Sequence, residues 1–433
     1  MKKIGIVLFT SDLRLHDNTT LARAIKENDE VIPLFCWDEE YMKSEQFGFE
    51  RMGNIRRGFL QKALTDLHQN LKSIGGYLLV RKGNQLEIIE ELLTHYSVFK
   101  VYTKKQVGIE EKRGNERLKK ILLSKRVDYE EYSTSTMYHP SDLPFSMSSI
   151  PEVFTKFRKI VEKEATVRQT IPSPTAITCP VLPNDLQELN SMNHILSLDN
   201  RSSLPELGGE TSALKHVHSY IFEQKHVLHY KETRNELIGV DFSSKLSHWL
   251  ALGCISPKFI YHEVKRFEDE VASNDSTYWL IFELLWRDFF RFSFKKHPLE
   301  YFQLHGILGK SDRKPTRNKQ VIDSWVNGET PSSFVNAAMK ELKATGWTSN
   351  RMRQIVASYF IYDLEQDWRV GASYFESQLI DYDVSSNWGN WAYIAGVGND
   401  PRAGRKFNTE KQEEQYDKDK CYQKLWAKIG VLK

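Results

Sequence analysis

Between Gly346 and Phe407 the chain crowds large rings and charges into one stretch, and that mixture limits what the surrounding fold can be. Four of its ten tryptophans fall between Trp347 and Trp391, interleaved with Arg351, Arg353, Asp381, Asp383 and Asn387. A plain apolar core excludes groups that are costly to bury unpaired. A cavity for a large, flat, partly charged ligand needs both kinds: rings for shape and stacking, charges and amides for orientation.

The first third of the chain reads differently. Residues 4–9 are a continuous apolar run, as expected of a strand buried on both faces of a parallel sheet. A helix over 18–26 follows, then a strand at 31–36 in which Pro33 is awkward for a sheet interior. Strands at 77–80, 98–102 and 127–132 alternate with helices over 84–94 and 110–123. That alternation predicts a doubly wound, parallel-sheet α/β domain over 1–132. No G-x-G-x-x-G follows the first strand, so a dinucleotide fingerprint is absent. Residues 133–206 hold eight of the fourteen prolines and one expected short helix over 152–164, and they read as an interdomain connector on the surface. From Gly208 onward the pattern is almost wholly helical, which predicts an all-α domain over 207–433.

Composition narrows the function classes. A chain of 433 residues exceeds a single core, and a net charge of +3 makes no bulk case for nucleic acid. Segment 309–319 carries five basic residues against Asp312, either a local DNA-binding patch or a solvated loop. Cys36, Cys179, Cys254 and Cys421 are scattered without a C-x-x-C pair, which fits a reducing compartment and argues against a zinc ribbon. His216, His218, His226 and His229 have no metal-site spacing and read as a wet helical face. The apolar run after Lys2 and Lys3 is too short for a signal peptide, and no segment reaches membrane-spanning length. A cytoplasmic, monomeric protein without a membrane partner is the expectation.

Glu283, Trp286, Arg287 and Phe290 recur at helical spacing and share one face, able to meet a planar, polar substrate. The plain alternative is an amphipathic helix with an exposed ion pair. Asn350, Arg353 and Gln354 share another face behind the cap candidates Thr348 and Ser349. Ser243, Ser244, Lys245, Leu246 and Ser247 place hydroxyls and N–H groups at an expected helix start, suited to a diphosphate, although Ser-rich helix starts are common.

These motifs occur in a definite order: YKETRN at 230–235, SSKLS at 243–247, FELLWRDFF at 282–290, TGW..NR.R at 345–353, DW at 367–368, LIDYDV.SNWGNW at 379–391 and AGVGNDPR at 395–402. The series resembles the flavin-binding core of the photolyase/cryptochrome proteins and is closest in wording to the cryptochrome-DASH branch. Ordered motifs are far more specific than any one of them. The resemblance implies FAD, with Tyr230, the 243–247 segment, Arg287, Asn350, Arg353, Asp381, Asp383 and Asn387 around it. It implies that Arg353 and Asp381 pair beside the flavin ring, that Asn387 faces flavin N5, and that Glu283, Trp286 and Asn350 meet a damaged pyrimidine pair. Arg234, Arg351, Gln354 and Tyr393 match residues on the DNA side. Trp391 and Trp368 match the first two members of a light-driven electron relay; the third position falls at Pro315, so that hop is missing or rerouted. Glu111 falls where the branch places a carboxylate on a folate antenna, 5,10-methenyltetrahydrofolate, though a Glu at a helix N-terminus is also an ordinary dipole partner. His248 stands where the family has Pro, a change a first helical turn tolerates.

The implied activity is blue-light repair of cyclobutane pyrimidine dimers, mainly in single-stranded or looped DNA, by an electron lent from excited reduced FAD. Gln354 and Tyr393 stand where dimer photolyases of the main bacterial class carry bulkier Met and Trp, so less packing offsets the cost of flipping a dimer out of duplex. A (6–4) photolyase is disfavoured, because that branch uses His where this chain has Asn350 and Gln354. A non-repairing blue-light receptor is the main rival; such sensors commonly carry long tails, whereas this chain stops about twenty-five residues past Phe407. RNA or single-strand binding without repair is a third reading.

Overall fold

The computed structural model describes residues 2–183, 199–205, 207–309, 314–400, 402 and 404–427. Among the described residues seven strands form: β1 (Ile4–Phe9), β2 (Glu30–Trp37), a short antiparallel pair β3 (Glu45–Gln46) and β4 (Phe49–Glu50), then β5 (Leu79–Lys82), β6 (Val98–Lys104) and β7 (Asp128–Tyr132). Five of them make one sheet in the order β5-β2-β1-β6-β7, parallel throughout. β1, buried along its whole length, is the central strand. Pro33 sits opposite Val7 of β1, and β5 begins to pair with β2 only at Leu34. The missing proline N–H therefore falls before the β5 ladder begins, which is how an inner strand tolerates it.

The 20-residue helix Asn54–Ser73 follows the β3–β4 hairpin and buries Phe59, Leu60, Ala63, Leu64, Leu67 and Leu71. The segment expected to lie on the surface as a connector also reaches inward. Its helix Phe154–Glu164 buries Phe154, Phe157 and Val161, and the Phe154 ring stacks on Trp286 with centroids 3.6 Å apart. Apolar residues at i, i+3 and i+7 give that helix a core face despite its proline-rich surroundings.

The rest is helical. Its central element is the 22-residue helix Asp275–Lys296, started by a capping box in which Asn274 and Thr277 exchange side-chain bonds with backbone N–H groups. Helices Asn350–Tyr362, Trp368–Gln378 and Val384–Ala395 pack on one another beside it. Arg14 ties the α/β half to the helical half: it is 1% exposed and donates to the carbonyls of His16, Asp17, Thr134 and Gly253. Among the described residues no helix is long and apolar enough to cross a membrane.

Candidate functional site

The helical face read from FELLWRDFF opens onto a cavity of about 490 Å³. Glu283, Trp286, Arg287 and Phe290 line it from helix Asp275–Lys296, and Asn350, Arg353 and Gln354 line it from helix Asn350–Tyr362. Tyr230, Arg234, the whole 243–247 segment, Asp381, Asp383 and Tyr393 complete the wall. Asn387 and Trp391 line a smaller adjoining space of about 80 Å³. Arg351 and Trp368 line neither. Arg351 donates to Gln354 at 3.2 Å and lies over the Tyr416 ring, while the Trp368 indole donates to the Leu304 carbonyl at 3.1 Å.

Two ion pairs organise the floor. Arg353 grips Asp381 with both terminal nitrogens, at 3.0 and 2.8 Å, a planar two-point bond only a guanidinium makes. Asp383 caps helix Val384–Ala395 by accepting from the Ser386 N–H at 3.0 Å, and its other oxygen binds Arg291. Burial pushes the Asp383 carboxyl up, but Arg291 and Arg287 outweigh it and hold the group well below the usual carboxylate range. The sequence reading missed Arg291. It lies one turn beyond Arg287 on the same helix, and that i+4 spacing was the available signal. Arg405 was missed too: it lines the cavity, bonds the Tyr393 hydroxyl and pairs with Asp400.

At the mouth, Glu283 accepts from Arg234 at 2.8 Å. Burial raises the Glu283 carboxyl above its ordinary value, and Arg234 offsets only part of that. The 243–247 segment departs from expectation. The helix begins only at Ser247, runs six residues to Leu252, and has Leu246 at its cap position without a side-chain bond. Ser243 and Ser244 lie outside it, in a turn where Lys245 takes a positive φ of 49°. Lys245 is buried, with its ammonium between the rings of Phe242 and Trp347 and no hydrogen-bond partner. Burial drives its pKa well below the ordinary lysine value.

Glu111 lies elsewhere. It sits on helix Ile109–Ser124 and lines a second cavity of about 650 Å³, which the ends of β1 and β2 share with Ala251, Arg291 and Asp383 of the helical half. Burial raises the Glu111 carboxyl. Of the basic segment 309–319, residues 310–313 lie outside the described residues.

Residues 5–176 match the domain model described as DNA photolyase, and residues 279–429 match the FAD binding domain of DNA photolyase. Cryptochrome DASH of Danio rerio is 44% identical over 431 residues, covering 98% of this chain and 82% of that protein. Cryptochrome DASH of Synechocystis is 43% identical, covering 97% and 86%. Among solved structures, the cryptochrome of Synechocystis sp. PCC6803 superposes with a TM-score of 0.94 at 41% identity, covering 98% of this chain and 88% of that one. A class III photolyase from Agrobacterium tumefaciens gives 0.83 at 26%, covering 98% and 86%. The fold is that of the photolyase/cryptochrome flavoproteins. Within that family, the chain belongs to the cryptochrome-DASH branch.

Its cofactor is FAD, and the cavity fits that ligand on its own terms. Lys245, whose ammonium has no hydrogen-bond partner, lines the cavity together with Ser243, Ser244 and Ser247, a donor set of the kind a diphosphate needs. The Arg353–Asp381 pair and the Asn387 amide, which donates to the Ala372 carbonyl at 2.9 Å, offer fixed polar groups to a flat ring system.

Proposed function

We propose that this chain is a light-driven lyase that splits cyclobutane pyrimidine dimers, mainly in single-stranded or looped DNA. The observation that supports it most is that Glu283, Trp286 and Asn350 line the same cavity as the Arg353–Asp381 pair, so a base drawn into the mouth meets the flavin's own wall. Bound reduced FAD supplies, under light, the electron that opens the cyclobutane ring and takes it back afterwards. Glu283 bonds the pyrimidine edge, and its raised pKa favours the proton-bearing form that can donate to a carbonyl. To do so it must leave Arg234, and a DNA phosphate is a natural competing partner for that guanidinium. Trp286 and Tyr393 give the flipped bases apolar surface, and Gln354 gives an amide. Arg351 and Arg234 contact the backbone. Trp391 and Trp368 carry electrons that reduce the cofactor in light. The cavity at Glu111 takes a folate antenna, and the protein works in the cytoplasm as a monomer.

The test is illumination of the purified, reduced protein with dimer-containing oligonucleotides, single- and double-stranded. Dimers should disappear from single strands and loops and persist in intact duplex. Glu283→Ala should lower repair per photon by up to about tenfold, the worth of one lost neutral hydrogen bond, with the flavin spectrum unchanged. Dimers left intact in every substrate would point instead to a photoreceptor or a nucleic-acid-binding flavoprotein.

A further inference from the structure

The proposed relay, Trp391 followed by Trp368, has no third tryptophan at position 315, where Pro315 stands. The structure places another indole beside it. Trp388 lies three residues before Trp391 on helix Val384–Ala395, and its ring centroid is 5.9 Å from that of Trp368, edge to face. Trp391 packs so tightly on the neighbouring helix Trp368–Gln378 that a Cβ on Gly371 would stand 2.3 Å from its ring. The three indoles thus occupy one seam between two packed helices.

What sets Trp388 apart is its hydrogen bond. The Trp388 Nε1–H donates to Glu376 Oε2 at 3.0 Å, with both residues buried. The Trp368 indole, by contrast, donates to a backbone carbonyl, which cannot take a proton. The other oxygen of Glu376 lies 3.3 Å from Arg51, which also binds Glu110 at 2.8 Å. Arg51 and Glu110 both line the 650 Å³ cavity, so the carboxylate is connected to a solvent-reachable space.

We propose that Trp388 is the terminal residue of the electron relay and that Glu376 is its proton acceptor; this rests on the relay reading of Trp391 and Trp368. Trp391 gives up one electron to the light-excited, oxidised cofactor. Trp368 replaces that electron, and Trp388 replaces the one lost by Trp368. An indole that has lost an electron is a strong acid, so the Nε1 proton crosses the existing bond to Glu376, leaving a neutral indolyl radical and a carboxylic acid. Return of the electron would then require the proton as well, which holds the charges apart. An added thiol supplies one electron and releases its own proton to water, the Trp388 proton returns from Glu376, and the thiyl radicals of two such turnovers combine as one disulfide. Arg51 keeps its second partner, Glu110, while Glu376 is protonated.

The test is time-resolved absorption and spin resonance on the FAD-loaded full chain with thiol present, in light and heavy water. The unchanged protein should show a neutral tryptophan radical whose appearance slows in heavy water. Trp388→Phe should lose that radical and photoreduce more slowly. Glu376→Gln keeps an amide acceptor for the indole and should give a protonated radical with no isotope effect; it decides the matter if Trp388→Phe fails to retain FAD. If Trp388→Phe shows the same radical and rate as the unchanged protein while Trp391→Phe has lost photoreduction, Trp388 is not in the relay. If Trp391→Phe photoreduces normally, the relay reading itself falls.

Discussion

Lys245 carries an uncompensated burial cost in the cavity wall. Its ammonium is buried against two rings, lacks a hydrogen-bond partner, and is driven toward neutrality by burial, with Glu341 opposing only in part. A ligand diphosphate would reverse that balance by restoring the charge it binds. Lys245→Met therefore has two opposite expected effects. FAD affinity should fall about tenfold to a hundredfold, the worth of a charge-assisted bond, while the apoprotein should melt at the same temperature or higher. The unchanged apoprotein should also gain stability as pH rises toward the ordinary lysine value, because the unfolded chain holds a proton the folded one has lost. Flavin titration and apoprotein melting curves check both. Equal FAD affinity would move the diphosphate away from Lys245.

Helix Ser333–Thr345 carries a second misfit, Glu341, which accepts from Thr348 and Tyr422 but leaves one oxygen without a partner. Burial raises it to about 7 against those bonds. A carboxyl raised in the fold binds a proton that the unfolded chain has shed, so its contribution is present at low pH and is lost as pH climbs from the ordinary carboxylate value toward 7. Glu341→Gln, which keeps an acceptor for both hydroxyls, should flatten the fall in apoprotein melting temperature between about pH 5 and about pH 8. An unchanged slope would assign the titration to another buried carboxyl, such as Asp288, which is raised to about 7 by burial.

At this scale the sequence was legible wherever burial leaves a period. β1 announced itself because both of its faces are covered, and the FELLWRDFF helix because its cavity residues repeat at i, i+3, i+4 and i+7. Helix Asn54–Ser73 escaped because its start has no side-chain cap and its first turn is basic. Arg291 and Glu376 escaped for another reason. The Arg291–Asp383 pair joins residues 92 positions apart, and Glu376 meets Trp388 only because two helices pack side by side. The spacing from Arg287 marks the face of Arg291, but no local pattern encodes either residue's partner. Trp388 itself stood in plain view within NWGNW, indistinguishable from a core tryptophan until its carboxylate neighbour was known.

For the whole molecule, the proposed flavin wall depends on how closely the α/β half approaches the helical half. Helix Ser247–Leu252, which follows the proposed phosphate-binding turn, ends at Gly253. There φ is +67°, and an added Cβ would stand 2.2 Å from the Ser11 carbonyl in the loop after β1. The Gly253 carbonyl also accepts from buried Arg14 at 2.8 Å, so the same peptide is a steric limit and an anchor. Gly253→Ala meets backbone strain and a clash with main chain that no rotamer relieves, and should cost on the order of 3 kcal/mol. Because Ala251 and Leu250 of this helix line the cavity, the displacement should reach the cofactor as faster FAD loss on dilution. Gly239→Ala supplies the control. Its φ is +101°, yet nothing lies within 4 Å of the added atom, so it carries strain without the clash. The control should lose only about 1 kcal/mol and retain FAD as the unchanged protein does. Equal melting temperatures and equal FAD loss in the two variants would mean that strain alone acts at Gly253, and that the approach of the two halves tolerates a methyl group.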